Sequence, residues 1–161
     1  MKMEATIKKV LVPIDFSDYS KSALKYAVNF SKLFNAEIIL IYVVEPVIYP
    51  LDFSMGQIAI PSFSTEWDAR AKEELDKLAK KEINSSVKTI IKTGKPFLEI
   101  IETAKEEDID LIIIATHGHT GVEHIIFGST AEKVVRKAPC PVLTLREPIK
   151  GYNHKEENNK A

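Results

Sequence analysis

The residues best equipped for chemistry lie late in the chain, in IIIATHGHTGVEHIIFGSTAEKVV. A branched apolar run ends at Ala115, Gly118 and Gly121 follow, and Gly128-Ser129-Thr130 opens a helical stretch. Glycines let the backbone approach a bound group closely and reach positive φ. A helix start offers free N–H groups and the positive end of a dipole, which together suit phosphate. The Ser129 and Thr130 hydroxyls can donate as well. No lysine is needed, because backbone amides supply the field. A plainer reading stays open: Ser129-Thr130-Ala131-Glu132 also fits an S-x-x-E capping box, which requires no ligand.

A second group lies near the N-terminus, where Pro13-Ile14-Asp15 ends the first apolar run. In an open parallel sheet, ligands sit outside the carboxyl ends of the strands, at the switch point. With strand order 3-2-1-4-5, that crevice lies between strands 1 and 4, and Asp15 faces the glycine loop across it. A carboxylate repels phosphate but accepts hydrogen bonds from ribose hydroxyls or a base amine. The two sides are therefore complementary, with a nucleoside near strand 1 and phosphates near strand 4. The plainer reading of Asp15 is an Asx-turn or helix-entry residue.

Other constellations carry less. His117, His119 and His124, with Glu123, could ligate a metal or touch a phosphate. No second ligand cluster is visible, so no protein-only metal site is expected. Cys140, the one cysteine, stands between two prolines without an activating base and reads as packed. Thr93-Gly94-Lys95-Pro96 lacks the first glycine and the hydroxyl of a phosphate-binding P-loop, and no G-x-G-x-x-G follows strand 1. Asp76 and Glu102 read as solubility, and Trp67 as core or a loop anchor. No catalytic residue is expected.

These groups need a scaffold, and the pattern alternates strand and helix. Strands are expected at Lys9–Ile14, Glu37–Val44, Ser86–Lys92, Asp110–Thr116 and Pro141–Leu145. Their near-continuous apolar character suits strands covered on both faces. Helices are expected over Ser17–Phe34, with Ser17 as N-cap, over Thr65–Ile83, from Pro96, and over Gly128–Lys137. Their inward residues are expected to include Phe34 on the first helix, Phe97, Ile100, Ile101 and Ala104 on the third, and Ala131, Val134, Val135 and Ala138 on the last. The fold class is therefore α/β: one open, mainly parallel five-stranded sheet with helices on both faces. Glu45–Ser64 is long for a connection and reads as a lid, an interface arm or a mobile loop. Glu147–Ala161 is polar and expected to fray.

Composition excludes whole classes. The 161 residues carry 22 Lys+Arg against 23 Asp+Glu, a net charge of −1. That balance argues against a dedicated nucleic-acid binder and against a polybasic membrane-surface protein. A single cysteine excludes an internal disulfide framework. The longest apolar run, Ile38–Val44, falls far short of the roughly 20 residues a membrane helix needs. The N-terminus does not read as a signal peptide. The expectation is a cytoplasmic protein with no membrane association.

Three blocks make the chain resemble the universal stress protein family over roughly residues 5 to 146: KKVLVPIDFSDYSKSALKYA, EIILIYVVEP and IIIATHGHTGVEHIIFGSTAEKVVRKAPCPVLTLR. The family's nucleotide-binding branch is similar in carrying G-x2-G-x9-G-[ST] after strand 4. Gly118, Gly128 and Ser129 match it, while Ala115 stands where the first glycine would be. The resemblance implies an adenine nucleotide alpha-hydrolase-like fold over 1–146, with 147–161 as a flexible tail. It also implies a bound adenine nucleotide, ATP first among them, with Mg2+ accompanying the phosphates. Pro13, Ile14, Asp15 and the Val43 backbone would hold the adenosine end. Gly118, Gly128, Ser129 and Thr130 would hold ribose and phosphates over a floor of Ile114 and Ala115. A homodimer through Val142–Leu145 is implied too, and independent physics agrees, because an exposed edge strand is usually paired or covered. The function implied is a nucleotide-dependent regulatory or stress-response protein with at most slow ATP hydrolysis. The alternatives are a ligand-free dimeric interaction module with a vestigial pocket, and an adenylyl transferase. PIDFSDYS lacks the Ser/Gly-rich loop or His pair that a transferase carries after strand 1.

Overall fold

Branched apolar residues build the centre of the molecule, in a computed structural model that describes residues 6–46, 63–84, 87–117 and 128–146. The elements run β1 (Lys9–Pro13), α1 (Asp18–Phe34), β2 (Glu37–Val44), α2 (Phe63–Glu82), β3 (Val87–Thr93), α3 (Pro96–Glu106), β4 (Leu111–Ala115), α4 (Ser129–Lys137) and β5 (Val142–Leu145). The strands form one sheet in the order β3-β2-β1-β4-β5, and every pairing is parallel. The expected order and element types hold, with boundaries moved by a residue or two at several ends. Most of Glu45–Ser64 and all of Glu147–Ala161 lie outside the described residues.

Alternation along each strand separates two cores. Val10, Val12, Ile38, Leu40, Leu111 and Ile113 face one side, where Ala23, Leu24 and Ala27 of α1 and Leu75 and Ala79 of α2 cover them. Leu11, Ile39, Ile41, Ile112 and Ile114 face the other, under Ile100 and Ala104 of α3 and Ala131 and Val134 of α4. Because successive side chains point to opposite faces, a sheet sandwiched between helix layers must be apolar at nearly every position. At about 25 cal/mol per Å² of apolar area, each fully buried Ile or Leu contributes about 1.5–3 kcal/mol before entropy is counted.

Local chemistry sets the helix ends. Ser17 has extended backbone and its hydroxyl accepts the Ser20 N–H at 3.2 Å, so it is the expected N-cap of α1. Asn35 closes that helix at φ 52°, a left-handed position that asparagine tolerates. Pro96 starts α3 where its missing N–H costs nothing. Two inward assignments fail. Val135 is exposed, because the nine-residue α4 turns only the Ala131, Val134 and Ala138 side toward the sheet. Phe34, the last residue of α1, is exposed as well and stacks on Phe30 at 5.8 Å between ring centres.

The ladder is uneven where it matters. β2 and β3 pair over seven positions and β1 and β2 over five, but β1 and β4 pair only at Val10–Leu111 and Leu11–Ile112. Backbone alternation accounts for this. Asp110 donates to the Lys9 carbonyl on the β4 side, while Ile14 donates to Ile41 on the β2 side. Pro13, two residues along from Leu11, therefore faces β4, and proline has no N–H to give. The hydrogen-bonded ladder of this seam therefore ends before its carboxyl end.

Candidate functional site

The turn after β1 is built by three residues. Phe16 takes φ 64°, which is uncommon for a residue with a large side chain. That reversal brings Ser17 back onto Asp15: the Ser17 N–H reaches Asp15 Oδ1 at 3.0 Å and the Ser17 hydroxyl reaches it at 2.5 Å. Asp15 N–H in turn meets the buried Ser20 hydroxyl at 3.3 Å. The Phe16 ring is held on Tyr42 with centres 4.9 Å apart. Asp15 thus is the Asx-turn residue that sequence offered as its plainer reading, and the turn fixes its carboxylate beside the open seam. A non-glycine residue held at positive φ costs about 1–3 kcal/mol and marks a place worth a functional hypothesis.

Register brings the other parts level with it. Lys9 pairs with Glu37 and Val10 with Leu111. Continued to the strand ends, these offsets put Asp15 between Val43 on β2 and Thr116 after β4. Ile14 and Ile114 are buried on opposite faces, and Pro13, Val43 and Ala115 are half-buried.

Across the seam, Gly128 and not Ser129 is the N-cap of α4, so the cap residue makes no side-chain hydrogen bond to the helix start. The capping box is therefore absent, and Ser129 is the first helical residue. Ser129 is exposed and Thr130 half-buried. Gly128 adopts φ −66°, open to any residue, so its glycine answers to space. Its N–H donates to the Thr116 carbonyl at 2.6 Å, and a Cβ there would sit 3.0 Å from the same oxygen. Thr116 and Gly128 thus form a neck for the intervening chain. Gly118, Gly121, His119, Glu123 and His124 lie outside the described residues.

The two sides meet at the mouth. His117, just past the neck, lies against Tyr19 from the first turn of α1, with ring centres 5.6 Å apart. Sequence reasoning missed Tyr19, Phe16 and Thr116. Only Tyr19 left a signal, as an aromatic one turn into the helix that follows Asp15. Among the described residues, no group of three or more His, Cys, Asp or Glu could hold a metal ion. No helix there is long and apolar enough to cross a membrane. Cys140 is half-buried, and burial raises its thiol pKa above the ordinary value, with Asp110 adding to the rise.

A separate cavity of about 340 Å³ opens between α1 and α2, lined by Phe16, Lys21, Glu74, Lys77, Leu78 and Lys81. It shares Phe16 with the turn after β1. Lys77 is paired there with Glu73 and Glu74, and Lys21 with Asp18, so it is a groove between helices with salt-bridged walls.

Comparison with known proteins places this geometry. Residues 6–146 match the model of the Universal stress protein family. Universal stress protein MJ0531 of Methanocaldococcus jannaschii is 38% identical over 150 residues, covering 91% of this chain and 86% of the relative. The solved structure of MJ0577 from the same organism is 32% identical with a TM-score of 0.72, covering 89% of this chain and 98% of that one. The universal stress protein of Archaeoglobus fulgidus in complex with dAMP has a TM-score of 0.58 at 21% identity, covering 86% and 98%.

Proposed function

The chain belongs to the universal stress protein family, and from that premise we propose that it binds ATP, or another adenine nucleotide, between β1 and β4 and acts as a nucleotide-dependent regulatory or stress-response protein. One observation carries the reading. Where Pro13 ends the ladder between β1 and β4, a carboxylate held by Ser17, Asp15, stands on one side, and on the other α4 starts at Gly128, a cap with no side chain of its own to occupy the helix amides. The N–H groups at that start suit phosphate oxygens, and Asp15 suits ribose hydroxyls or the base amine. In this reading Pro13, Ile14, Asp15 and the Val43 backbone would surround adenosine, Gly118, Gly128, Ser129 and Thr130 would hold ribose and phosphates, and Ile114 and Ala115 would line the floor. The dAMP complex in the same fold supports the reading by analogy of fold. Mg2+ would ride on the phosphates.

The same reading makes the protein a cytoplasmic homodimer. Ile112 donates to the Pro141 carbonyl and Thr116 to that of Leu145, so these residues face β4. Val142 and Thr144 then turn their backbone groups toward the open edge of the sheet, available to a second copy.

A ligand-free interaction module is the second reading, favoured by Asp15 Oδ1 being engaged by Ser17 and by Ala115 in the family's glycine position. Melting the full chain with increasing Mg2+-ATP separates the two. A ligand at 100 times its Kd adds about 2.7 kcal/mol, which is about 5–11 °C for a domain of this size. Asp15→Ala should weaken the shift. No shift at millimolar ATP, with no nucleotide co-purifying, overturns the proposal in favour of the second reading.

A further inference from the structure

We infer that Thr116 is a positioning residue for the start of α4: its buried hydroxyl ties the Thr116–Gly128 neck to the last carbonyl of β5 and holds the His117 imidazole at the mouth. This rests on the nucleotide-binding reading above. Thr116 is only 1% exposed, and a buried hydroxyl is costly unless hydrogen-bonded. Here both donors go to one acceptor. The Thr116 N–H reaches the Leu145 carbonyl at 2.8 Å and the hydroxyl reaches it at 3.2 Å. A carbonyl oxygen has two lone pairs, so it can take both.

The proton count then sets the imidazole. A threonine hydroxyl has a single proton, and we assign it to the Leu145 carbonyl, which, unlike Nδ1, can only accept. Towards His117 Nδ1, 3.1 Å away, the same oxygen can only accept. Nδ1 therefore carries the hydrogen, and in the neutral ring Nε2 keeps its lone pair. With Nδ1 anchored and one face against Tyr19, the ring is held across the gap from β4 to α1. The Thr116 carbonyl meanwhile accepts the Gly128 N–H at 2.6 Å. One residue thus joins the end of β5, the loop's exit at the start of α4, and the aromatic pair at the mouth. The first amides of α4 can serve a phosphate only if such a neck holds the Gly128 end in place.

Two variants and two readouts test this on the full chain. Thr116→Val keeps the branched shape and deletes the hydroxyl, while Thr116→Ser keeps the hydroxyl. The first readout is ATP affinity. The expected result is a loss of about tenfold for Thr116→Val and near wild-type affinity for Thr116→Ser, tenfold being 1.4 kcal/mol, about one hydrogen bond. The second is the ¹⁵N spectrum of the His117 ring without nucleotide, assigned by its loss in His117→Gln. Nδ1–H is expected in wild type and Thr116→Ser, and Nε2–H in Thr116→Val. An Nε2–H ring in wild type overturns the inference, as does Thr116→Val matching wild type in affinity or Thr116→Ser failing to restore it. A wild-type chain that binds no ATP but shows the Nδ1–H ring overturns the nucleotide reading, and the positioning role with it, while the hydrogen-bond chain stands.

Discussion

Replacing Gly128 with alanine tests the neck with a single methyl group. The new Cβ would stand 3.0 Å from the Thr116 carbonyl oxygen, whereas ordinary contact begins at 3.4 Å. The neck must therefore open by a few tenths of an ångström. Backbone conformation adds no penalty, because φ −66° suits alanine. The bond that must stretch is the 2.6 Å one from Gly128 N–H to Thr116 O. Weakening a hydrogen bond of this kind costs about 0.5–1.5 kcal/mol. At about 2–4 °C per kcal/mol, the apo protein should melt roughly 1–6 °C lower. The first amides of α4 shift with the neck, and a loss of about 1 kcal/mol on a charge-assisted phosphate contact is about fivefold in Kd. Under saturating ATP the stabilisation should shrink by a further 2–4 °C, because linkage returns the same 1 kcal/mol. Differential scanning fluorimetry with and without Mg2+-ATP reads both terms, and Ser129→Ala is the control. It removes an exposed hydroxyl, leaves the apo melting temperature unchanged and weakens only the ligand term. A Gly128→Ala protein that melts like wild type and keeps the full ATP shift would refute both the steric argument and the placement of phosphate at this helix start.

Other perturbations address other links. Ser17→Ala removes both the cap of α1 and the clamp on Asp15. It should cost about 1 kcal/mol, seen as a 2–4 °C fall in melting temperature, and should also weaken ATP binding if Asp15 holds the nucleoside. Asp76 ties α2 to β3. Its carboxylate is bonded by Lys72 at 2.6 Å and by the Thr89 hydroxyl, and these partners, Lys72 first, lower its pKa. A lowered carboxylate stabilises the fold above its unfolded pKa, and that contribution is lost as pH falls through the folded value. Asp76→Asn should therefore destabilise by at most about 1 kcal/mol at pH 7, since the pair is partly exposed, and the gap from wild type should close below about pH 4 in urea melts. Thr144→Pro deletes an N–H on the outer edge of β5 while sparing the ladder to β4. Sedimentation should show the dimer weakened with the monomer still folded; an unchanged dimer removes this strand from the interface.

Much of the scaffold was legible because its signals are local. Apolar runs such as EIILIYVV, the Ser17 cap and Pro96 each act within a few residues, and their alternation with helices implied a parallel sheet, while the order 3-2-1-4-5 was one of a few topologies it allowed. The seam was only half legible. Pro13 was visible as an end to the first strand, but its effect depends on which neighbour its missing N–H faces, and that is a matter of register. Thr116 was illegible, since its partner Leu145 stands 29 positions away and one more threonine at a strand end carries no mark of burial. Phe16 was missed for a different reason: positive φ is normally announced by glycine or asparagine, and here the ring packs against Tyr42 instead. Asp76 read as a solvated charge because Thr89 approaches it only once α2 lies across β3, although its i,i+4 spacing from Lys72 on the same helix was there to be read.

Pro13 has a consequence for how the sheet comes undone. A side-chain gap can be filled by repacking, but a missing backbone donor cannot, so the ladder between β1 and β4 ends in a fork whatever surrounds it. Amide exchange should invade from that fork, reaching the upper part of β4 long before the seven-rung pairing of β2 with β3. A molecule that gripped Asp15 on one prong and the start of α4 on the other would act as the rung the chain itself cannot supply.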